Sequence, residues 1–334
     1  MTEKLERQAT GGVELGLVQL KRLGRLRASG LIWVLLIMCA VAALISDAFL
    51  NPFNIINVLR QIALFGIVSV GMTFVILTAG IDLSVGSIVA VVAVTAAMLL
   101  DSGLPIPLVV ILGLAIGSLM GAVNGAGITL GGIPPFIMTL GTMVMGRGLA
   151  MTISDGHPIH FRAVAEQFSW LGQGHVLGLP VPVWVFAGIA LLAAGALRFT
   201  AFGRNVYAVG SNPEAARLAG IDVKRTVFFV YLISGFLSGL TALIFISRLT
   251  VGEPVAGVGL ELEAIAITVI GGTSLFGGEG RISGTILGAA IVAVLANILN
   301  LFGVSPFTQQ IVKGAIIVAA VLFEIIRRRS HSAP

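Results

Sequence analysis

Long apolar stretches, separated by short polar or glycine-rich segments, recur along this chain and constrain its fold more than any other feature. A helix needs about 20 mainly apolar residues to cross a hydrocarbon core of ~30 Å. Only 10% of the 334 residues are charged, against about 25% in soluble domains, so most of the surface must face lipid. The pattern predicts an all-α, polytopic membrane protein with about ten transmembrane helices over residues 31–326. The predicted spans are Leu31–Ile45, Gln61–Thr78, Ser84–Leu100, Pro107–Gly125, Pro135–Ile153, Val181–Leu197, Thr226–Ser247, Leu262–Gly272, Ile282–Leu301 and Phe307–Ile326.

Basic residues are concentrated beside the apolar stretches rather than spread over the chain. They cluster in a leader at residues 1–30, in a segment at residues 199–225 and in a tail at residues 327–334. Cytoplasmic loops of membrane proteins carry an excess of Lys and Arg. With the leader inside, an even number of spans places all three clusters in the cytoplasm and the polar loop at residues 154–179 outside. The net charge of +5 therefore indicates topology and not a nucleic-acid partner.

The first apolar stretch admits two interpretations. Ala40-Val41-Ala42 is similar to a signal-peptide cleavage site, but a leader of about 30 residues is long for a signal peptide. We therefore expect a retained first helix. Cys39 is the sole cysteine in the sequence, so no intramolecular disulfide can form.

Four glycines at strict four-residue spacing mark one face of the fourth apolar stretch: Gly113, Gly117, Gly121 and Gly125. Small residues at this spacing let two membrane helices approach closely. We expect tight packing inside the protein, with a dimer interface as the alternative.

A short helix is predicted between the sixth and seventh spans. Asn212 is a good N-cap, Pro213 suits the first helical position, and Gly220 can adopt the left-handed conformation that ends a helix. Two turns are too few to be stable alone, so the helix either packs as an ordinary loop helix or docks onto a partner. The candidate docking residues are Asn212, Pro213, Glu214, Ala215, Ala216, Arg217, Leu218, Ala219 and Gly220.

The turn at residues 77–86 carries Asp82 and Ser84 close to membrane depth. An ionisable residue at that depth is costly and often functional. The alternative, which we favour, is that Asp82 or Ser84 caps the next helix by accepting its free N–H groups.

The glycine-rich segment at residues 271–281 is not a phosphate-binding loop. Such a loop ends in Gly-Lys followed by Ser or Thr, whereas Gly278 and Glu279 occupy those places here. We therefore expect no nucleotide site and no bound cofactor on this chain. The four histidines show no spacing typical of metal ligands, and no catalytic constellation is evident, so we expect a protein that is not an enzyme.

Other polar residues within the apolar stretches could line a path for a hydroxylated solute, or form hydrogen bonds between helices. Together with Asp82 and Ser84, the candidate pathway or gating residues are Asn124, Thr139, Thr142, Thr268 and Asn297.

The chain resembles the membrane permeases of ribose-type bacterial sugar ABC importers, over about residues 31–323. The resemblance is carried by Val70–Thr73 running into Gly80–Gly86, by Gly203–Gly210, by Asn212–Ile221 and by Gly271–Leu275. Leu301–Ser305 and Gln310–Lys313 also match. The basic leader matches nothing in that family.

The resemblance implies a type II-like ABC importer permease fold in a bacterial inner membrane, with both termini cytoplasmic. It implies that the helix at residues 213–219 docks onto an ATPase subunit, which would hydrolyse the ATP. It also implies a second permease copy, a periplasmic sugar-binding protein and a monosaccharide substrate moved by alternating access.

The loop at residues 154–179 is the predicted surface for the binding protein. Trp170, Phe161 and Phe168 are candidate contacts, with anchoring in the lipid interface as the alternative. The rival function is an ion-coupled secondary transporter, or a channel, for a small polar solute. Its coupling groups would have to come from Asp82, Glu261 and Glu263.

Overall fold

The computed structural model describes residues 30–162 and 164–331, so most of the predicted basic leader lies outside the described residues. The described chain is largely helical. Its helices are α1 (Gly30–Ile45), α2 (Pro52–Leu77), α3 (Val85–Asp101), α4 (Ile106–Thr129), α5 (Pro135–Ser154), α6 (Ala165–Gln173), α7 (Val181–Phe199), α8 (Ala201–Ser211), α9 (Pro213–Leu218), α10 (Val223–Leu249), α11 (Leu260–Ile270), α12 (Ile282–Leu301) and α13 (Pro306–His331).

Four two-residue strands form two small antiparallel pairs in the described loops. Strand β1 (Ile159–His160) pairs with β4 (Val251–Gly252), and β2 (His175–Val176) pairs with β3 (Leu179–Pro180). Pairing of Ile159 with Gly252 ties the loop after α5 to the end of α10.

Six of the described helices are long and apolar enough to cross a membrane: α2, α4, α5, α7, α10 and α12. Helices α1 and α3 are apolar but shorter. The 11 residues of α11 extend only about 16 Å, as the sequence predicts for a segment too short to cross a bilayer alone. The all-α membrane architecture is confirmed, whereas the exact count of ten spans stays a prediction.

Helices α2, α3 and α10 form the interior of the bundle, and α4, α5 and α7 lie around them. Val68 and Met72 of α2 pack with Ile88 of α3 and Leu243 of α10 in one buried apolar cluster. The outer helices instead expose large apolar side chains, among them Ile111, Leu119, Val144, Leu191 and Leu192. A surface of this composition is suited to lipid.

Helices α4 and α10 approach each other closely through facing glycines. A Cβ on Gly117 would lie 2.6 Å from the carbonyl oxygen of Gly235 and 2.9 Å from the Cα of Gly239. A Cβ on Gly121 would lie 3.0 Å from the Cα of Gly235. We call this contact of Gly117 and Gly121 with Gly235 and Gly239 the glycine crossing. It confirms the predicted packing of the glycine stripe inside the protein.

The bundle has two distinct ends. At the short-helix end, the Leu77 carbonyl at the end of α2 accepts a hydrogen bond of 2.9 Å from Gly278 N in the turn before α12, close to α8 and α9. The opposite end holds a cavity between α2, α10, α11 and α12, and we call it the cavity end. There, Arg60 of α2 donates a hydrogen bond of 3.0 Å to the Gln173 carbonyl of α6. Helix α2 therefore runs from one end of the bundle to the other.

Replacing Gly117 by alanine should lower the free energy of unfolding by about 1–3 kcal/mol, because the new methyl group overpacks a backbone contact. The matched control is Gly188→Ala in α7, where a Cβ would meet no atom within 4 Å. Thermal unfolding of the purified protein in detergent measures both. Equal melting temperatures for the two variants would contradict the glycine crossing.

Candidate transport cavity and coupling surface

Asp82 lies in the turn between α2 and α3, with no exposed surface. Its Oδ1 accepts hydrogen bonds from Ser84 N at 2.9 Å and from the Ser84 hydroxyl at 2.6 Å. Its Oδ2 accepts a hydrogen bond of 2.7 Å from the Ser234 hydroxyl of α10. Asp82 thus satisfies a free N–H at the start of α3 and joins this turn to α10.

The same hydrogen-bond network continues outward to α4 and α5. The Asn124 amide donates to the Ser84 hydroxyl at 2.8 Å, and Thr142 donates to the Asn124 side-chain oxygen at 2.6 Å. We call Asp82, Ser84, Asn124, Thr142 and Ser234 the Asp82 network. It connects α3, α4, α5 and α10 through buried polar atoms, which are costly to leave unpaired.

Two further hydroxyl groups fix the backbone just before Asp82. Thr139 of α5 donates a hydrogen bond of 3.2 Å to the Ile81 carbonyl, and Tyr231 of α10 donates one of 3.3 Å to the same oxygen. Both side chains are fully buried. The turn is therefore held from opposite sides.

The structure places five predicted pathway residues in this buried region: Asp82, Ser84, Asn124, Thr139 and Thr142. Their hydrogen bonds are to other protein groups, as expected for a helix cap and for hydrogen bonds between helices. Thr268 is also buried, and its hydroxyl donates to the Ala264 carbonyl at 2.7 Å and to the Ser69 carbonyl of α2 at 3.3 Å. Of the seven predicted residues, Asn297 is the one that lines the main cavity.

That cavity has a volume of about 520 Å³ and lies at the cavity end, between α2, α10, α11 and α12. This volume is within the range of about 300–1,000 Å³ that is usual for small-molecule sites. Neutral amides dominate its polar surface, and its apolar surface is formed by phenylalanine, leucine and valine side chains. Its lining includes Asn57, Gln61, Phe65, Phe245, Arg248 and Glu263.

Paired side chains hold the walls of the cavity together. Asn54 of α2 and Asn297 of α12 exchange two amide hydrogen bonds, at 3.0 and 2.6 Å. Glu263 of α11 forms an ion pair with Lys313 of α13. Helices α2, α11 and α12 are thus each tied to a neighbouring helix by a polar contact.

Short helix α9 is built as the sequence predicts. The Asn212 side chain accepts a hydrogen bond of 3.0 Å from Ala215 N, and Gly220 has a φ of +83°, with Ile221 N bonded to the Ala216 carbonyl at 3.0 Å. Ala216 is the buried residue of the helix, whereas Leu218 is 79% exposed. The helix and its caps are confirmed, and its coupling role stays a prediction.

The outward face of α9 also carries charge. Glu214 and Arg217 form an exposed ion pair of 3.0 Å on the surface of the helix. Exposed ion pairs contribute little to stability. The exposed surface of α9 thus carries the apolar side chain of Leu218 beside charges of both signs.

Helix α8 connects α9 to the rest of the bundle. A Cβ on Gly210 would lie 2.7 Å from Gly278 N and would also overlap the Leu77 carbonyl. Tyr207 donates a hydrogen bond of 2.8 Å to the Gly280 carbonyl, and burial raises the pKa of Tyr207, so its hydroxyl stays protonated. The residues just before α9 thus contact both the end of α2 and the turn between α11 and α12.

The loop at residues 154–179 corrects part of the sequence interpretation. Phe161 and Phe168 are 1% and 2% exposed and pack against each other edge to face, so the prediction of surface contacts there is wrong for both. Trp170 is 57% exposed and Leu177 is 87% exposed. Val176 and Leu179 are exposed as well, so the loop presents an accessible apolar surface built of these four side chains.

Sequence reasoning missed most of the cavity wall. Asn54 and Asn57 precede the predicted start of the second span, because α2 begins at Pro52 and not at Gln61. Their recurrence with Gln61 at helical spacing is the signal that could have identified them.

Replacing Asp82 by leucine should lower the free energy of unfolding by about 3 kcal/mol, because three buried donors lose their acceptor. Asp82→Asn should cost less, since its side-chain oxygen still accepts. Asp101→Leu is the matched control, because Asp101 is exposed at the end of α3. The melting temperatures are measured by thermal unfolding in detergent. Equal melting temperatures for Asp82→Leu and Asp101→Leu would contradict the Asp82 network.

Comparison with known proteins identifies the family. A family model described as "Branched-chain amino acid transport system / permease component" matches residues 54–321. No solved structure matches the chain.

Curated relatives align over most of their length. The ribose import permease protein RbsC of Haemophilus influenzae is 46% identical over 290 residues, which cover 86% of this chain and 90% of that protein. The protein of the same name from Escherichia coli K12 is 43% identical over 292 residues, covering 87% and 91%. The L-arabinose ABC transporter permease protein AraH of Azospirillum brasilense is 37% identical over 305 residues, covering 91% and 89%. The chain therefore belongs to this family of transport-system permease components.

Proposed function

We propose that this protein is the permease subunit of an ATP-binding-cassette importer that carries a monosaccharide across a bacterial inner membrane. The observation that carries the proposal is the placement of an amide-lined cavity and an exposed capped helix at opposite ends of one helix bundle. An importer driven by separate ATPase subunits needs a solute site and a surface that receives force from the partner. Both features are present in a single chain.

The chemistry of the cavity suits a hydroxylated solute. Amide groups both donate and accept hydrogen bonds, as sugar hydroxyls do. The relatives are named for import or transport of ribose and L-arabinose. These names support a monosaccharide, whereas the family description alone points to amino acids.

The orientation follows from the basic residues beside α8 and α9. Arg198, Arg204, Lys224 and Arg225 are all exposed at the short-helix end. Since cytoplasmic segments carry the excess of Lys and Arg, this end faces the cytoplasm and the cavity faces the periplasm. The predicted coupling segment at residues 199–225 and both termini are then cytoplasmic.

The partners follow from that orientation. Leu218 of helix α9 contacts the ATPase subunit, and the exposed loop surface with Trp170 and Leu177 binds a periplasmic sugar-binding protein. A second permease copy completes the transporter, and lipid covers the apolar sides of α4, α5 and α7. ATP hydrolysis takes place on the ATPase chains.

Alternating access would use the contacts between α8, α2 and the turn before α12. Movement of α9 on ATP-driven closure of the ATPases would displace Gly210. Leu77 and Gly278, which Gly210 contacts, would move with it. These residues belong to helices, or adjoin helices, that line the cavity.

Leu218→Glu should reduce co-purification of the ATPase subunit by about tenfold or more, because a carboxylate would be buried without a partner in the docking contact. Leu177→Glu is the matched control: it changes an equally exposed leucine at the opposite end of the bundle. It should retain the ATPase and weaken association with the binding protein. Full retention of the ATPase by Leu218→Glu would contradict docking through α9.

The orientation is tested by cysteine labelling in cells. In a Cys39→Ala background, Leu177→Cys should react with a membrane-impermeant maleimide added to spheroplasts, whereas Glu214→Cys should react only after the membrane is permeabilised. Both side chains are exposed, so reactivity reports the side of the membrane. The reverse pattern would overturn the proposed topology.

A further inference from the structure

The polar side chains of the main cavity fall into two groups. Several are already bonded to protein: Asn54 to Asn297, Asn300 to Gln309 at 2.8 Å, and Glu263 to Lys313. The side chains of Asn57, Gln61 and Arg248 make no hydrogen bond or ion pair with any described residue. The first group fixes the walls, and the second group is available to a ligand.

The available groups lie on two helices across the cavity. On α2, Gln61 stands one turn before Phe65, and on α10, Arg248 stands one turn after Phe245. Residues three or four positions apart share one helix face. Each helix thus presents a polar group nearer the mouth of the cavity and an aromatic ring deeper in it.

The floor of the cavity is closed. Beyond Phe65 on α2, Val68 and Met72 have 1% and 0% of their surface exposed, and Val92 on α3 is fully buried. A solute entering from the cavity end therefore stops beside Gln61 and Arg248, above an apolar layer.

Charge restricts which solutes fit. The Arg248 guanidinium lies near the Arg60 guanidinium, and each lacks a carboxylate partner among the described residues. The acidic residue of the wall, Glu263, is neutralised by Lys313. A cationic solute is therefore repelled, whereas adjacent hydroxyl groups can accept from the guanidinium fork and exchange hydrogen bonds with an amide.

We infer that Gln61 and Arg248 hydrogen-bond the hydroxyl groups of the transported sugar and so determine which hydroxylated solutes pass through the permease. This inference rests on the proposed function and assigns the substrate contacts within it. Asn57, nearer the mouth, contacts the sugar as it enters. Phe65 and Phe245 cover the apolar face of the sugar ring.

The test uses the complete transporter with its ATPase and binding protein, reconstituted in liposomes. Gln61→Leu and Arg248→Met should each lower uptake of radiolabelled D-ribose by about tenfold, the effect of losing one or two hydrogen bonds. Co-purification of the ATPase subunit and of the binding protein should be unchanged, because neither docking surface is altered. Gln310→Leu is the matched control, since Gln310 is exposed on α13 and does not line the cavity.

Uptake by Gln61→Leu and Arg248→Met equal to that of Gln310→Leu would overturn the assignment. Failure of the unaltered transporter to take up D-ribose, D-allose or L-arabinose with ATP would instead overturn the proposed function. The two failures are therefore distinguishable.

A second measurement does not depend on the activity of the variants. With Cys39 replaced by alanine, Gln61→Cys should react with a maleimide from the cavity end, and a saturating concentration of D-ribose should slow the reaction by at least about threefold through occupancy of the site. Gln310→Cys should react at the same rate with and without the sugar. An unchanged rate at position 61 would contradict sugar contact even if that variant had lost uptake.

Discussion

The glycine crossing of α4 and α10 is the contact on which the rest of the structure depends. Because Gly117, Gly121, Gly235 and Gly239 carry no side chains, the two backbones lie close together. Dispersion contacts between the helices then stabilise their packing, since the hydrophobic effect is weak between helices in lipid. The close packing of α4 against α10 also positions residues of the Asp82 network. Asn124 lies one turn beyond Gly121, and Ser234 adjoins Gly235, so the crossing positions the two groups that bond Ser84 and Asp82.

The structure divides into a rigid interior and a more weakly connected cavity region. Around Asp82, buried groups of α3, α4, α5 and α10 satisfy one another, and breaking any one bond leaves a polar atom unpaired in an apolar interior. Around the cavity, α2 meets α12 through the exchanged amides of Asn54 and Asn297, which water can replace because the site is open. A conformational change therefore costs less at the cavity than in the interior, and this is where a transporter needs to move.

The sequence predicted features that arise from local chemistry and missed those that depend on which helix face is inside. The caps of α9 follow from Asn212, Pro213 and Gly220 alone, because each acts on backbone within a few residues. The glycine stripe of α4 predicted close packing but not its partner, since Gly235 is distant in sequence. The predicted pathway residues are polar side chains within apolar stretches. In helices that are apolar on all sides, periodicity does not separate a face toward a cavity from a face toward a neighbouring helix. The sequence therefore points to buried, hydrogen-bonded residues such as Thr142 and not to Asn57.

Helix α2 spans the distance between the cavity and the region of α9 that the proposed function would couple. Its 26 residues extend about 39 Å. At the short-helix end its last residue, Leu77, bonds Gly278 and touches Gly210, two positions before the N-cap of α9. At the other end, Asn54 and Gln61 line the cavity. If α9 receives force from an ATPase as proposed, a displacement that shifts Leu77 would also shift Gln61 on the same helix, and so change its position relative to Arg248 on α10. Coupling and substrate contact are then two ends of one helix, and the distance between Gln61 and Arg248 is the quantity that the partner ATPase would change.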